Sequence, residues 1–137
     1  MSSYDSSVHV VIVGAGYAGT AAAKALDTSV RVTLIEPTDS HNHKIASLRA
    51  AVVPGWEQRI RVPLDGFLKN GQVIQGEVKT VNIGSVTLSD QRVLDCDYVI
   101  LAHGKGSLNF PSGEMALLLV VLYLQLTTDF DSQHRLF

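Results

Sequence analysis

The sequence predicts an α/β fold built on a parallel sheet, with a helical layer on one side and a small antiparallel β-meander on the other. Three observations predict it. Residues 8–13 and 30–36 are two apolar, β-branched runs, and a glycine-rich turn with an alanine-rich stretch lies between them. Strand, helix and strand within about 30 residues make a βαβ unit, which implies a right-handed crossover and parallel strands.

Each element follows from its residues. Val8-His9-Val10-Val11-Ile12-Val13 is nearly all apolar, as in a strand covered on both faces. The turn Gly14-Ala15-Gly16-Tyr17-Ala18-Gly19 leads into residues 20–26, rich in helix formers. Pro37 stops the second strand after Glu36. Asp39-Ser40-His41-Asn42 is polar and suits the cap of a helix beginning near His43. Ile45, Leu48 and Val52 then form one helical face, ending before Pro54-Gly55. A loop and a short helix over residues 64–69 are expected next. Val73-Ile74 and residues 76–83, 85–88 and 92–94 are short β segments, with bends at Gly84 and Ser89-Asp90. Together they predict the meander. Residues 97–102 resume the buried-strand pattern and end at His103-Gly104.

Composition narrows the function. The chain has 137 residues, a prior of one domain, and 46% are hydrophobic. A net charge of −2 offers no basic footprint for nucleic acid and no polybasic membrane patch. The lone Cys96 excludes disulfide, CxxC metal and CxxC redox chemistry, and the five His residues show no HExxH spacing. The longest apolar run, residues 115–124, falls short of the ~20 residues that span a bilayer. The N-terminus has no basic region before the first strand, and Ser2 is not Gly. Neither a secretory leader nor a myristoyl group is therefore expected.

The chemistry is carried by Gly14-x-Gly16-x-x-Gly19. Alone, the spacing fits any tight strand-to-helix loop. Here it follows a strand, opens a helix, and is followed about 20 residues on by Glu36 at the end of the next strand. That context is the fingerprint of a Rossmann-like dinucleotide site. Gly14 turns the chain off the strand, Gly16 lets a pyrophosphate approach the backbone, and Gly19 lets the helix pack close to the sheet. The helix N-terminus offers N–H groups and a partial positive charge. Glu36 suits ribose hydroxyls and would repel a 2′-phosphate, which argues against NADP. Spacing does not choose between FAD and NAD.

Three stretches together resemble a family: residues 11–19, residues 47–52 and residues 97–104, with Asp39-Ser40-His41-Asn42-His43-Lys44-Ile45-Ala46-Ser47-Leu48-Arg49-Ala50 the most specific piece. They look like the FAD-binding half of the FAD-dependent pyridine-nucleotide oxidoreductases, in the apoptosis-inducing-factor-like and ferroptosis-suppressor branch. The likeness covers residues 8–114. It implies FAD as cofactor, NAD(P)H as co-substrate and a quinone as acceptor. It implies that Gly14, Ala15, Gly16, Tyr17, Ala18 and Gly19 hold the pyrophosphate and that Glu36 holds the adenosine ribose. It places Arg49 near the flavin and the Val78 backbone at the adenine. Ala102 and Gly104 match the family's Ala-Thr-Gly turn, where the chain returns to the cofactor; His103 stands where Thr is usual.

The resemblance also implies an incomplete domain. Residues 1–114 read as a partial FAD-binding domain and residues 115–137 as an atypical apolar tail, like sequence read past a lost splice junction. The family continues into an NAD(P)H-binding domain with its own GxGxxG, and no second such motif occurs in these residues. On this reading the chain holds FAD but is inactive alone. A non-catalytic nucleotide-binding fragment and a single-domain NAD-dependent dehydrogenase are the alternatives; no Tyr-x-x-x-Lys supports the latter. The expected location is cytoplasmic, with membrane association in longer relatives.

Other residues have plainer readings. Cys96, before a strand, suits a core position. His41 and His43 suit a solvated helix cap, and Trp56 suits packing. Lys44 and Arg49 otherwise read as a surface pair on a helix. The apolar tail lacks the basic face of a membrane-surface helix and suits a buried or spurious segment better.

Overall fold

A computed structural model describes residues 4–104. The tail at 115–137 and the boundary at 114 lie outside the described residues. Strand β1 (Asp5–Val13) starts the fold, and helix α1 (Tyr17–Leu26) and strand β2 (Val30–Glu36) complete the βαβ unit. Helix α1 begins three residues before the alanine-rich stretch, because Gly16 already serves as its N-cap. Strands β1 and β2 pair in parallel from His9–Arg31 to Val13–Ile35.

The sheet is completed by β5 (Gln72–Gln75) beside β2 and β9 (Tyr98–Leu101) beside β1, both parallel, in the order β5-β2-β1-β9. Val73-Ile74 thus belongs to the parallel sheet and not to the meander. Gly71 makes this possible: a Cβ there would lie 2.6 Å from the Val32 carbonyl oxygen, so only a bare backbone enters beside β2. The meander is β6 (Val78–Asn82), β7 (Ser85–Leu88) and β8 (Val93–Asp95), antiparallel in that order. Ile83-Gly84 forms its first turn, with Gly84 at φ +80°.

The period-2 alternation of β1 and β2 divides two cores. Val11, Val13 and Ile35 face the meander and pack with Val78, Val81, Val86, Leu88 and Cys96. Val10, Ile12, Val32 and Leu34 face the other way, onto Ala23 of α1 and onto Leu64 and Leu68. Each fully buried Val, Leu or Ile contributes about 1.5–3 kcal/mol by leaving water. Polar groups buried among the strands are satisfied: His9 bonds the Asp95 carbonyl at 2.7 Å and the Thr33 hydroxyl at 2.9 Å.

Three expectations fail between β2 and β5. Residues 39–42 do not cap a helix; β3 (Ser40–Asn42) pairs antiparallel with β4 (Arg61–Pro63). The helix expected from His43 shortens to a 3₁₀ turn, Lys44–Ala46, and one turn of α-helix, α2 (Ser47–Ala50). Its apolar face is not buried: Ile45, Leu48 and Val52 are 75%, 81% and 78% exposed. Of the three only Leu48 lies in α2, and no described element packs on them to stabilise a longer helix. Residues 64–69 are a turn and not a helix. Leu64 and Leu68 still insert into the core, while Asp27 of the preceding layer captures the N–H groups of Lys69, Asn70 and Gly71.

Candidate functional site

The C-terminal ends of β2, β1 and β9 meet at a cavity of about 660 Å³. Open α/β sheets bind ligands at this edge, beyond the carboxyl ends of the strands. Gly14, Ala15, Gly16, Tyr17, Ala18, Glu36, Val78, Ala102 and Gly104 all line it. Gly19 and Arg49 do not.

The glycines play separate parts. Gly14 has φ +98°, and a Cβ on it would lie 2.8 Å from the Ala102 carbonyl oxygen. Gly19 lies under the turn, where a Cβ would collide with the Gly14 carbonyl oxygen at 1.8 Å. Gly16 is different. Its φ is −72°, and a Cβ would meet only the Ala102 oxygen at 3.8 Å, so the space over it is cavity and not protein. Gly16 also caps α1 without a side chain, and no acidic residue occupies the first turn. The helix start is therefore open to an anion.

Glu36 reaches the same turn. Its Oε2 accepts the Ala15 N–H at 2.7 Å and its Oε1 accepts the Thr38 hydroxyl at 3.0 Å. Each carboxylate oxygen keeps a further lone pair. Gly76 and Val78 form the wall beyond β2. On the β9 side the wall is Ala102, His103 and Gly104, and the buried His103 Nδ1 has no hydrogen-bond partner among the described residues. Lys44 brings one cation to the cavity, and Glu36 and Glu77 bring the anions. A bare-backbone cradle with an orphaned buried nitrogen fits a phosphate-bearing dinucleotide.

Sequence reasoning missed the floor contributed by β3. His41 is not part of a helix cap: its Nδ1 donates to the Ala15 carbonyl at 2.6 Å, and its ring meets Tyr17 edge-on at 5.1 Å. His43 bonds the Tyr17 hydroxyl and also packs edge-on against it. Short β3 and β4 carry no periodic signal that could have placed these histidines under the turn. Arg49 stacks outside the cavity, 4.4 Å above the Trp56 ring, with Arg59 at 5.0 Å. Cys96 is buried in the core against the meander, as its position suggested. Among the described residues no three His, Cys, Asp or Glu converge to hold a metal, and no helix is long and apolar enough to cross a membrane.

Known proteins share this arrangement. The family model described as pyridine nucleotide-disulphide oxidoreductase matches residues 8–131, a span that reaches past residue 114. The chain is 39% identical over 99 residues to apoptosis-inducing factor homolog A of Dictyostelium discoideum, covering 72% of this chain and 24% of that protein. It is 37% identical over 105 residues to ferroptosis suppressor protein 1 of Taeniopygia guttata, covering 74% of this chain and 28% of that protein. Among solved structures, the sulfide:quinone oxidoreductase of Aquifex aeolicus matches with a TM-score of 0.61 and 26% identity, over 71% of this chain and 24% of that one. The chain thus spans about a quarter of the length of these relatives.

Proposed function

The chain belongs to the pyridine nucleotide-disulphide oxidoreductase family, and from that premise we propose that its described residues form the FAD-holding part of an NAD(P)H:quinone reductase. FAD is the cofactor of this family and NAD(P)H its co-substrate. The observation that carries the reading is the bare Gly16 backbone at the open start of α1, facing a cavity bordered by Glu36. The amides at the start of α1 receive the diphosphate, Glu36 orients the adenosine ribose, and the Val78 backbone lies where the adenine would rest. Gly14 and Gly19 shape this cradle from behind, and Ala102 and Gly104 close it on the β9 side. For Arg49, which stacks on Trp56 outside the cavity, we propose a place near the flavin.

When bound, FAD accepts hydride from a nicotinamide and passes electrons on. The residues described here bind and orient it. They also provide one dinucleotide site, whereas hydride transfer needs two, held in register. We therefore propose that these 137 residues bind FAD without turning over NADH by themselves. A quinone acceptor is supported by the likeness to a sulfide:quinone oxidoreductase.

Purification and titration test the reading. Flavin absorbance in the purified protein, or saturable FAD binding by calorimetry, is the expected result. A colourless protein stabilised by NAD and not by FAD would overturn it. NADH oxidation with a quinone by this chain alone would refute the claim that it needs a second site.

A further inference from the structure

His103 is the polar side chain of the cavity whose buried nitrogen has no internal use. The other buried or half-buried polar groups facing the glycine turn are engaged: His41 Nδ1 by the Ala15 carbonyl, and Glu36 by Ala15 and Thr38. His103 Nδ1 alone is buried without a partner among the described residues lining the cavity. Burial of an unsatisfied nitrogen is unfavourable unless something supplies an acceptor or a donor.

Topology says which part of a ligand it meets. Across the sheet edge the order is β2, β1, β9, so Glu36 stands on one side of Gly14 and His103 on the other. The His103 Cα lies 2.7 Å from where a Gly14 Cβ would be, and the Ala102 oxygen 3.8 Å from where a Gly16 Cβ would be. The His103 ring therefore springs from backbone in contact with the turn that faces the diphosphate. Charge agrees. Lys44 is the one formal cation among the described lining residues, against Glu36 and Glu77, so a diphosphate here depends on neutral donors.

We propose that the His103 ring turns as the dinucleotide enters, so that its Nδ1–H, closed off from solvent in this conformation, donates a hydrogen bond to a diphosphate oxygen. The inference rests on the dinucleotide reading of the cavity and adds a side-chain donor to the backbone cradle. Phosphate oxygens only accept, so the ligand selects the tautomer with its proton on Nδ1.

The test compares His103→Ala, His103→Phe and His103→Asn with the wild-type chain, by calorimetric titration with FAD and with ADP. Melting curves check that each variant folds. The Ala and Phe variants should bind both ligands about tenfold more weakly, the effect of one charge-assisted hydrogen bond. Asn keeps an N–H near the position of Nδ1 and should recover most of the loss. Unchanged or tighter binding by the Ala and Phe variants would show that the ring only crowds the site and would overturn the inference alone. Weakened FAD with unchanged ADP would overturn the assignment to the diphosphate. A wild-type chain that binds neither ligand would remove the functional reading, and this inference with it.

Discussion

The Glu36 carboxylate holds the Ala15 N–H at 2.7 Å, joining the end of β2 to the turn that leaves β1. From the opposite side the His41 ring holds the carbonyl of the same residue at 2.6 Å. Ala15 is thereby fixed at both polar groups, and the turn is shaped before any ligand arrives. Preorganisation of this kind lowers the ordering cost of binding.

Glu36→Ala should therefore do two things. The Ala15 N–H loses its acceptor, while the Thr38 hydroxyl keeps the Ser40 carbonyl, at a cost of about 1–2 kcal/mol in stability. FAD affinity should fall by roughly tenfold or more, as the ribose loses its acceptor and the turn loosens. Glu36→Gln retains a neutral acceptor, so it should recover most of the stability and little of the affinity. Chemical denaturation and FAD titration of both variants measure the two effects separately.

Gly19 and Gly16 should separate folding from binding. Gly19→Ala places a methyl against the Gly14 carbonyl and should destabilise the protein by about 3 kcal/mol or more. A Cβ on Gly16 meets only the Ala102 oxygen, at 3.8 Å, so Gly16→Val should cost much less stability than Gly19→Ala, chiefly through a poorer N-cap. Its side chain would occupy the space over the backbone, so FAD binding should disappear. Calorimetry and thermal melting on the two variants check the contrast; retained FAD affinity in Gly16→Val would remove Gly16 from the site.

The legible parts of this chain were those whose signal is local. The glycine turn, β1 and β2 read directly, because β-branched runs and a strand–turn–helix spacing need no distant partner to be recognised. The cavity wall from Ala102 to Gly104 read through family resemblance and not through periodicity. What was not legible depended on contacts made elsewhere in the fold. Val73-Ile74 has the same composition in a meander as in a parallel sheet, and it is the bare Gly71 beside Val32 that admits β5 to the latter. Ile45, Leu48 and Val52 have helical spacing, yet spacing does not say whether anything covers the face. His41 reaches Ala15 only because β3 pairs with β4, a contact about 20 residues distant in sequence.

Cys96 should behave as an inert thiol. Burial pushes its pKa up, and the negative charges of Asp97 and Asp95 push it further the same way. The thiolate is the reactive form, so labelling by a disulfide reagent at neutral pH should run roughly tenfold or more below the rate in the unfolded chain. Labelling with and without denaturant measures the ratio. A rate in the native protein equal to that in denaturant would show that the core against the meander is open.

Asp27 should be the main acid-sensitive point of the sheet layer. It is 4% exposed, and its two oxygens accept the N–H groups of Lys69, Asn70 and Gly71 at 2.7, 3.1 and 2.6 Å. Burial alone would raise its pKa; the three backbone hydrogen bonds and the charge of Lys69 outweigh burial and hold it below the ordinary 3.8. A carboxylate with a depressed folded pKa binds fewer protons in the folded than in the unfolded state, so stability rises with pH across that window. Its contribution is complete above the unfolded value and is lost as pH falls through the lower folded one. Asp27→Asn removes the charge and turns an NH₂ toward backbone donors, so at pH 7 it should cost about 1–3 kcal/mol. The gap between variant and wild type should narrow once the pH drops below about 3.8, where the wild-type carboxyl begins to lose its advantage. Denaturant melts at pH 7 and at stepped acid values follow the gap, and a gap that stays constant down to the acid transition would show that Asp27 does not act through its charge.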